Sequence, residues 1–261
     1  MEKFGIYYIL LIMNNINISF LISLLAGLST IIGYLFLYLK PKNTNKFIAI
    51  SLTFSATIMV LISLFELIPD GFFYLNNKYG LFLSIIILIF MIIIGNFINT
   101  SINNRIVKKY SNSSNLYRVG VLNMIALMLH NLPEGILTFL SSTVDINLGI
   151  KMSLAIMLHN IPEGLAISVP IYYGTKSKIK AFTNTLISGL SEPLGALLAY
   201  LFLYKYMSNL LISLILLFVA GIMISISLND ILEEANKYSK KSLLIGFILA
   251  LFIFIITNVF L

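Results

Sequence analysis

Long apolar runs separated by short polar segments dominate the chain. A helix crosses a bilayer with about 20 apolar residues, and eight runs approach that length. The predicted membrane helices are approximately 16–39, 47–69, 80–100, 118–141, 149–172, 182–204, 209–233 and 242–260. The apolar stretch that precedes Asn14 is interpreted as an N-terminal extension of the first helix. This pattern predicts an all-α integral membrane protein with a single transmembrane domain over 1–261.

Composition supports the membrane assignment and narrows the possible chemistry. Hydrophobic residues make up 59% of the chain and charged residues 10%, with a mean hydropathy of +0.99, whereas soluble domains are about 25% charged. The chain has no cysteine, which excludes disulfides and thiolate metal ligands. The net charge of +7 is attributed to topology in the lipid bilayer, and no nucleic-acid partner is expected.

Basic residues are divided unequally between alternate loops. Thirteen of the 17 Lys and Arg residues follow the first, third, fifth and seventh predicted helices. Because basic loops face the cytoplasm, both termini are predicted to be extracytoplasmic in a multi-pass protein of the cell inner (cytoplasmic) membrane. The four basic residues on the other side are Lys3, Lys78, Lys151 and Lys205.

Helices four and five carry the same polar motif within an apolar run. It reads HNLPEG from His130 and HNIPEG from His159, and these are the only two histidines of the chain. Since residues i and i+4 share one face of a helix, Glu134 lies on the side of His130, and Glu163 on the side of His159. The helices are predicted to be antiparallel neighbours, so the two motifs can face each other at one depth.

The other residues of the motif have separate predicted tasks. Asn131 and Asn160 lie about 100° round the helix from the histidines and can reach an adjacent position. Each proline removes one backbone hydrogen bond, which frees a carbonyl to act as an acceptor or ligand. Gly135 and Gly164 are predicted to let another helix approach closely.

Three glutamates, Glu134, Glu163 and Glu192, fall near the centres of predicted helices. An ionised group there costs about 2.5–3.5 kcal/mol, so partners, protons, water or a cation must compensate. No Lys or Arg lies mid-span, which leaves the two histidines and a bound metal ion as natural candidates. For Glu192, a protonated carboxylate that packs between helices is the alternative. Four further acidic residues are assigned to loops or helix ends: Glu2, Asp145, Glu233 and Glu234.

Imidazole and carboxylate ligands suit Zn²⁺ and other first-row divalent ions. Amide oxygens and shared carboxylates favour a harder ion such as Fe²⁺ or Mn²⁺. The candidate ligands exceed what one tetrahedral ion needs, so a two-metal site bridged by Glu134 and Glu163 is considered. The candidate metal ligands are His130, Asn131, Glu134, His159, Asn160, Glu163 and Glu192.

A second repeat relates helices two and seven. The segment ATIMVLISLFELIPD at 56–70 aligns without gaps with AGIMISISLNDILEE at 220–234, with six identities and two aligned acidic positions. The two helices are predicted to cross in opposite directions, as in the inverted repeats of transporters with a midplane site. Chance similarity between apolar helices is the alternative.

Four further polar residues are candidates for an ion pathway. Glu66 and Asp70, near the outer end of helix two, form either an entrance funnel or ordinary interfacial acids. Asp230, near the inner end of helix seven, is either an exit-side ligand or a solvated helix cap. Asn123, on the helical face of His130, is either a pathway residue or a packing residue that forms a hydrogen bond.

The chain resembles the ZIP (Zrt/Irt-like) divalent metal transporters, and most closely their bacterial ZupT-type branch. The resemblance rests on the paired HN-x-PEG motifs, on SGLSEPLGALLAY at 188–200 and on the FELIPD and AGIMISISLNDIL segments. It covers nearly all of the chain from helix one onward. It implies eight helices in a 3+2+3 arrangement, outer triplets related by inversion, and a metal site at the midplane.

The resemblance also implies a binuclear site and uptake of metal into the cytoplasm. The first metal position is matched by His130, Glu134, His159 and Glu163. The second metal position is matched by Asn131, Glu134, Asn160, Glu163 and Glu192. Zn²⁺ is the leading implied ion, with Fe²⁺, Mn²⁺, Co²⁺ and Cd²⁺ often accepted, and no catalytic cofactor is expected. A homodimer is implied by the resemblance only.

Two segments depart from the family pattern. The loop at 101–117 contains no histidine, whereas many relatives have a His-rich loop there, so metal capture by this loop is not expected. Helix seven has Asn229 and Asp230 where relatives usually have Asp-Glu, so an inner relay is expected to be weaker or differently tuned.

Alternating access is the predicted mechanism, in which a rigid-body shift of one helix group opens the site inward. A metal-gated channel or sensor is the open alternative. An intramembrane metalloenzyme is disfavoured, because neither histidine is followed by the glutamate of an HExxH motif.

Overall fold

The computed structural model describes residues 2–39, 41–203 and 208–260, and it is helical throughout these ranges apart from short connections. The α-helices are α1 (Glu2–Leu35), α2 (Thr44–Ile62), α3 (Ile68–Tyr79), α4 (Leu81–Lys109), α5 (Asn115–Val144), α6 (Ile146–Thr175), α7 (Lys178–Gly189), α8 (Ser191–Leu198), α9 (Asn209–Ile226), α10 (Leu232–Tyr238) and α11 (Lys240–Phe260). A 3₁₀ segment (Phe36–Tyr38) follows α1. Three π-helical segments follow α2, α8 and α9, at Ser63–Leu67, Ala199–Leu203 and Ser227–Ile231.

Eight helical segments within the described residues are long and apolar enough to cross a membrane. This confirms the all-α membrane fold and the predicted number of spans. The spans are Asn15–Tyr38, Thr44–Tyr79, Leu81–Lys109, Asn115–Val144, Ile146–Thr175, Lys178–Phe202, Leu210–Tyr238 and Lys240–Thr257. The predicted extension of the first helix is also confirmed, because α1 begins at Glu2.

The helices extend beyond the apolar runs that predicted them. The third was predicted to end at residue 100 but continues to Lys109, and the seventh was predicted to end at 233 but continues to Tyr238. Hydropathy locates the part of a helix that contacts lipid and does not locate the helix ends. The first residue of a helix depends on capping by a polar side chain. Side chains accept a backbone N–H in the first turn at Asn43, Ser114, Asp145, Ser177 and Ser208. The predicted end of helix six at 204 and the topology residue Lys205 lie outside the described residues.

The helices pack into two groups. Helices α1, α5, α6, α7 and α8 contact one another, and so do α2, α3, α4, α9, α10 and α11. The groups meet chiefly where α2 packs on α6 and α5 packs on α9. Across this boundary the Ser55 hydroxyl donates a hydrogen bond to the Pro162 carbonyl at 2.6 Å. Both HN-x-PEG helices therefore belong to one group, while the 3+2+3 arrangement stays a prediction.

The π-helical segments give structural support to the helix two/seven repeat. Ser63–Leu67 and Ser227–Ile231 occupy corresponding positions in the aligned segments 56–70 and 220–234. π-Helical turns are rare and concentrate at functional sites. Two of them at matched positions are not expected from chance similarity of apolar sequences, so the shared backbone irregularity favours a true repeat.

Two glycines of the motifs lie where neighbouring backbones come closest. A Cβ atom on Gly135 in α5 would overlap the Glu192 carbonyl of α8, and one on Gly164 in α6 would overlap the Thr30 carbonyl of α1. The prediction that these glycines permit close helix approach is confirmed. The contacts bring α1 and α8 against the two motif helices, and α8 carries Glu192.

Candidate metal centre

The two HN-x-PEG motifs face each other between α5 and α6. Within α5, the His130 Nε2 atom lies 3.0 Å from the Glu134 Oε1 atom, as the i, i+4 spacing requires. Between the helices, His130 Nε2 lies 3.3 Å from Glu163 Oε1, and His159 Nε2 lies 3.1 Å from Glu134 Oε1. The sequence prediction that these four side chains converge is therefore matched by the geometry, and all four are buried.

The approaching atoms converge without forming hydrogen bonds. His130 Nε2, His159 Nε2 and Glu163 Oε1 are buried and have no hydrogen-bond partner, although each lies close to others of the group. Ligand atoms of His130, His159 and Glu163 all lie within 4.8 Å of one another. A cluster of imidazole nitrogen and carboxylate oxygen atoms at this spacing is an arrangement that suits the coordination of a cation. Buried unpaired polar atoms are otherwise costly, since each loses its hydration.

Glu192 and the two motif asparagines lie next to this group. The Asn160 amide nitrogen donates to Glu192 Oε1 at 2.5 Å and to the Ala26 carbonyl of α1 at 2.8 Å. The oxygen of the same amide and Glu192 Oε2 are buried without partners. When the Asn131 amide is oriented so that its nitrogen faces hydrogen-bond acceptors, this nitrogen donates to Glu163 Oε2 at 3.1 Å. Glu192 of α8 is therefore connected to the centre by its hydrogen bond from Asn160, and α8 is the third helix that supplies a residue to it.

The centre contains three buried carboxyl groups. Glu134, Glu163 and Glu192 are at most 6% exposed. Among the described residues, the Lys and Arg ion pairs involve only Lys237, which pairs with Glu233 and Glu234 in α10. Neighbouring basic side chains thus do not neutralise the three carboxylates. A divalent cation would supply that compensation, and the imidazole, carboxylate and amide donors suit a first-row metal.

Asn123 makes a packing contact in this structure. Its amide nitrogen donates to the Ala166 carbonyl of α6 at 2.6 Å, and its side chain is fully buried. The helical partner of that carbonyl would be residue 170, which is Pro170 and has no N–H. Asn123 therefore satisfies a carbonyl that a proline leaves unpaired. This arrangement favours the packing alternative over the pathway alternative.

Asn123→Ala is expected to destabilise the fold by about 1–3 kcal/mol, because a buried carbonyl is left without a partner, while zinc affinity is retained. Ser55→Ala is the matched control, since the Pro162 carbonyl keeps its helical N–H donor, and a smaller loss is expected. Thermal unfolding in detergent and Zn²⁺ titration measure the two effects. An intact melting temperature with a large loss of zinc affinity would instead support the pathway alternative.

Glu66 and Asp70 lie in different environments. Glu66 is partly buried and lines a cavity of about 310 Å³ between α2, α6 and α11, together with His159, Pro162 and Lys151. The cavity thus connects a π-helical acid of span two with one histidine of the centre. Asp70 is exposed one turn further along and does not line this cavity. The position of Glu66 therefore supports its predicted role in an entrance funnel, whereas the position of Asp70 does not support that role.

Asp230 is not a solvated helix cap. It is 8% exposed, and its carboxylate accepts hydrogen bonds from Asn99 at 3.0 Å and from Asn103 at 2.7 Å. It lines a second cavity, of about 220 Å³, with Asn229 and other polar residues. The cap alternative is wrong because the helix continues through a π-segment to Tyr238 and buries the carboxylate against α4.

The sequence did not predict the α4 partners of Asp230 or the burial of one acid near a helix end. Asn96, Asn99 and Asn103 recur at helical spacing within an apolar run, and that spacing was the available signal. The Ser225 hydroxyl donates to Asn96 Oδ1 at 2.6 Å, which extends the same polar contact. Glu234, assigned to a loop or helix end, is 2% exposed and pairs with Lys237.

An eight-span helical bundle with a buried, carboxyl-rich His–Glu–Asn centre defines a multi-pass membrane protein of the metal-transporter class. A family model described as ZIP Zinc transporter matches residues 99–256. The chain belongs to the ZIP zinc transporter family, whose members are transporters and not enzymes.

Similar proteins are found in several bacteria. Zinc transporter ZupT of Streptococcus mutans is 40% identical over 240 residues, covering 87% of this chain and 90% of the relative. The protein of the same description from Oceanobacillus iheyensis is 39% identical, covering 87% and 91%. That from Clostridium perfringens is 35% identical, covering 89% and 92%. The likeness therefore extends over nearly the whole length of each relative.

Proposed function

We propose that this protein carries divalent metal cations across the cell membrane into the cytoplasm, with Zn²⁺ as the principal ion. The observation that carries the proposal is the convergence of the His130, His159 and Glu163 ligand atoms between two buried helices. Family membership and the zinc transporters among the relatives support the same ion. The imidazole and carboxylate set also accommodates Fe²⁺, Mn²⁺, Co²⁺ and Cd²⁺.

The centre is proposed to hold two ions that share Glu134 and Glu163. The first ion is bound by these glutamates with His130 and His159, each of which lies within 3.3 Å of at least one of the two glutamates. The second is bound by the same glutamates with three further residues, Asn131, Asn160 and Glu192. The unpartnered Asn160 oxygen and the unpartnered Glu192 oxygen support this second position.

The two helix groups supply a basis for alternating access. The proposed centre lies wholly within the group of α1, α5, α6, α7 and α8, so this group can shift against the other without dismantling the ligands. The cavity that Glu66 and His159 share is the proposed outer access path. The cavity that Asp230 lines is the proposed exit side. The excess of basic residues in alternate loops supports the proposal that both termini lie outside.

Uptake into proteoliposomes tests the function directly. Purified protein is reconstituted with a fluorescent zinc indicator inside the vesicles, and external Zn²⁺ is added alone and against a panel of divalent ions. Saturable zinc influx without measurable conductance is expected, with competition by Fe²⁺, Mn²⁺, Co²⁺ and Cd²⁺. Conductance that rises linearly with zinc concentration would indicate a channel, and influx no faster than in protein-free vesicles would refute the proposal.

Glu66→Gln is expected to raise the zinc concentration that gives half-maximal uptake by at least about threefold, because the carboxylate attracts cations into the access path. The maximal rate should change less, since Glu66 is not proposed as a ligand. Asp70→Asn is the matched control and should have the smaller effect, because its carboxylate is exposed outside the cavity. Equal effects of both substitutions would contradict the assigned path.

A further inference from the structure

A repeat between the first and sixth spans places Thr30 opposite Glu192. The segment AGLSTIIG at 26–33 aligns without gaps with SGLSEPLG at 188–195. Four of the eight positions are identical, and they include the two glycines of each segment, Gly27 with Gly33 and Gly189 with Gly195. In this alignment Thr30 occupies the position of Glu192.

Contacts between the two segments are reciprocal. A Cβ atom on Gly27 would overlap the Gly189 carbonyl, and a Cβ atom on Gly189 would overlap the Gly27 carbonyl. The same is true of their hydrogen bonds: the Ser29 hydroxyl donates to the carbonyl of Ala26 at 2.6 Å, and its counterpart Ser191 donates to the carbonyl three residues before it. Such reciprocity is the property of a local two-fold axis, which passes near the Gly27–Gly189 contact.

The same axis exchanges the two motif helices. The Thr30 carbonyl packs on Gly164 of α6, and the Glu192 carbonyl packs on Gly135 of α5. Gly164 and Gly135 are the corresponding glycines of HNIPEG and HNLPEG. The flanking contacts correspond as well, because Gly33 packs on the Ile161 carbonyl and its counterpart Gly195 on the Leu132 carbonyl. Thr30 therefore occupies the same position relative to α6 that Glu192 occupies relative to α5.

The side chains at the two equivalent positions differ in charge. Glu192 reaches across to the Asn160 amide at 2.5 Å. Thr30 is too short to do the same towards Asn131, and its hydroxyl donates instead to the Gly27 carbonyl at 2.8 Å. The Asn131 nitrogen lies 3.1 Å from Glu163 Oε2. The two symmetry-equivalent positions of the centre thus carry different groups, a carboxylate at Glu192 and a neutral hydroxyl at Thr30.

We propose that Thr30 determines how tightly the centre holds metal, by occupying the symmetry equivalent of Glu192 and limiting the centre to three carboxylates. This inference rests on the proposed function. Two divalent ions carry four positive charges, which three carboxylates and neutral imidazoles do not fully balance. The remaining repulsion favours release. A fourth carboxylate at position 30 would balance the pair, retain it and slow transport, because charge interactions in a buried site are weakly screened.

An exchange of the two side chains tests this inference. Zn²⁺ affinity of the purified protein is measured by calorimetric titration, and uptake is measured in proteoliposomes. Glu192→Thr is expected to weaken binding at least about tenfold, and Thr30→Glu to tighten it at least about tenfold while slowing uptake. The double variant Glu192→Thr with Thr30→Glu is expected to recover an affinity within about threefold of the wild type.

Further variants separate charge from shape and from misfolding. Thr30→Gln has nearly the volume of glutamate without its charge, so tightening by Thr30→Glu alone supports the inference, and equal tightening by both overturns it. Thr30→Asp repeats the exchange with a shorter carboxylate. If the exchange variants fold, as judged by melting temperature, but recover no affinity, the inference is overturned. The inference is also overturned if Thr30→Glu and Thr30→Asp both fail to fold while Thr30→Gln folds. The proposed function fails separately, if the wild type binds no zinc.

Discussion

Replacing Glu134 and Glu163 together by glutamine is expected to reduce zinc uptake to the level of protein-free vesicles. Each carboxylate contacts a histidine of the facing helix, at 3.1 Å and 3.3 Å, and both are shared ligands of the proposed ions. Losing both removes two charges and the bridge between the motifs, so affinity should fall at least about 100-fold. Zinc titration and proteoliposome influx, measured on the same preparation, give the two readouts.

Glu233→Gln is the control for that double substitution. Its side chain is 69% exposed and lies in α10, outside the motif helices. Because it lines the proposed exit cavity, it is a control for zinc affinity and not for the rate of influx. It removes a carboxylate without touching the centre and should leave zinc affinity near that of the wild type. Glutamine has nearly the shape of glutamate, so the double variant should still fold, and burial of fewer charges should preserve its melting temperature. Wild-type influx through the folded double variant would show that the centre is elsewhere.

Gly164→Ala is expected to destabilise the protein by about 1–3 kcal/mol and to lower zinc affinity in the fraction that folds. The added methyl group would overlap the Thr30 carbonyl, and a backbone atom can move away only if α1 and α6 separate. That separation would displace His159 and Glu163, which flank Gly164 in the motif. Thermal unfolding followed by zinc titration measures both consequences.

Gly71→Ala is the matched comparison for the glycine substitution. A Cβ atom there would lie 2.9 Å from Leu217 Cγ, which can move with its side chain, and 3.1 Å from the Ser213 carbonyl oxygen, a milder backbone contact than the overlap at Gly164. The loss of stability should therefore be smaller than at Gly164, and zinc affinity should not change, because Gly71 lies in α3. If the two alanines behaved alike, close backbone packing of α1 on α6 would not be what holds the motif in place.

The centre was predictable from sequence because its residues contrast with their surroundings. His130, His159 and their glutamates are polar groups in apolar runs, and the i, i+4 rule determines which of them share a face. The number of spans followed from run length alone. These features depend on local sequence, and the structure agrees with them.

Features that depend on packing between distant segments were harder to predict. Asp230 was either an exit-side ligand or a solvated helix cap on the sequence alone, because the apolar run ends near it, and tertiary contact with Asn99 and Asn103 of α4 buries it. The division into two helix groups has no local signal. The repeat that pairs Thr30 with Glu192 was present in the sequence, but it is short, and only the reciprocal contact of Gly27 with Gly189 distinguishes it from chance.

X-ray absorption at the zinc edge, on tag-free protein loaded with Zn²⁺, tests whether the two motif histidines bind the ion. The chain has two histidines and no cysteine, so imidazole scattering from bound zinc can come only from His130 and His159. Nitrogen and oxygen ligands at about 2.0–2.2 Å with an imidazole contribution are expected, and the imidazole contribution should be lost in the His130→Ala, His159→Ala double variant. Bound zinc with no imidazole contribution, or a spectrum unchanged in that variant, would contradict the assignment of these histidines as ligands.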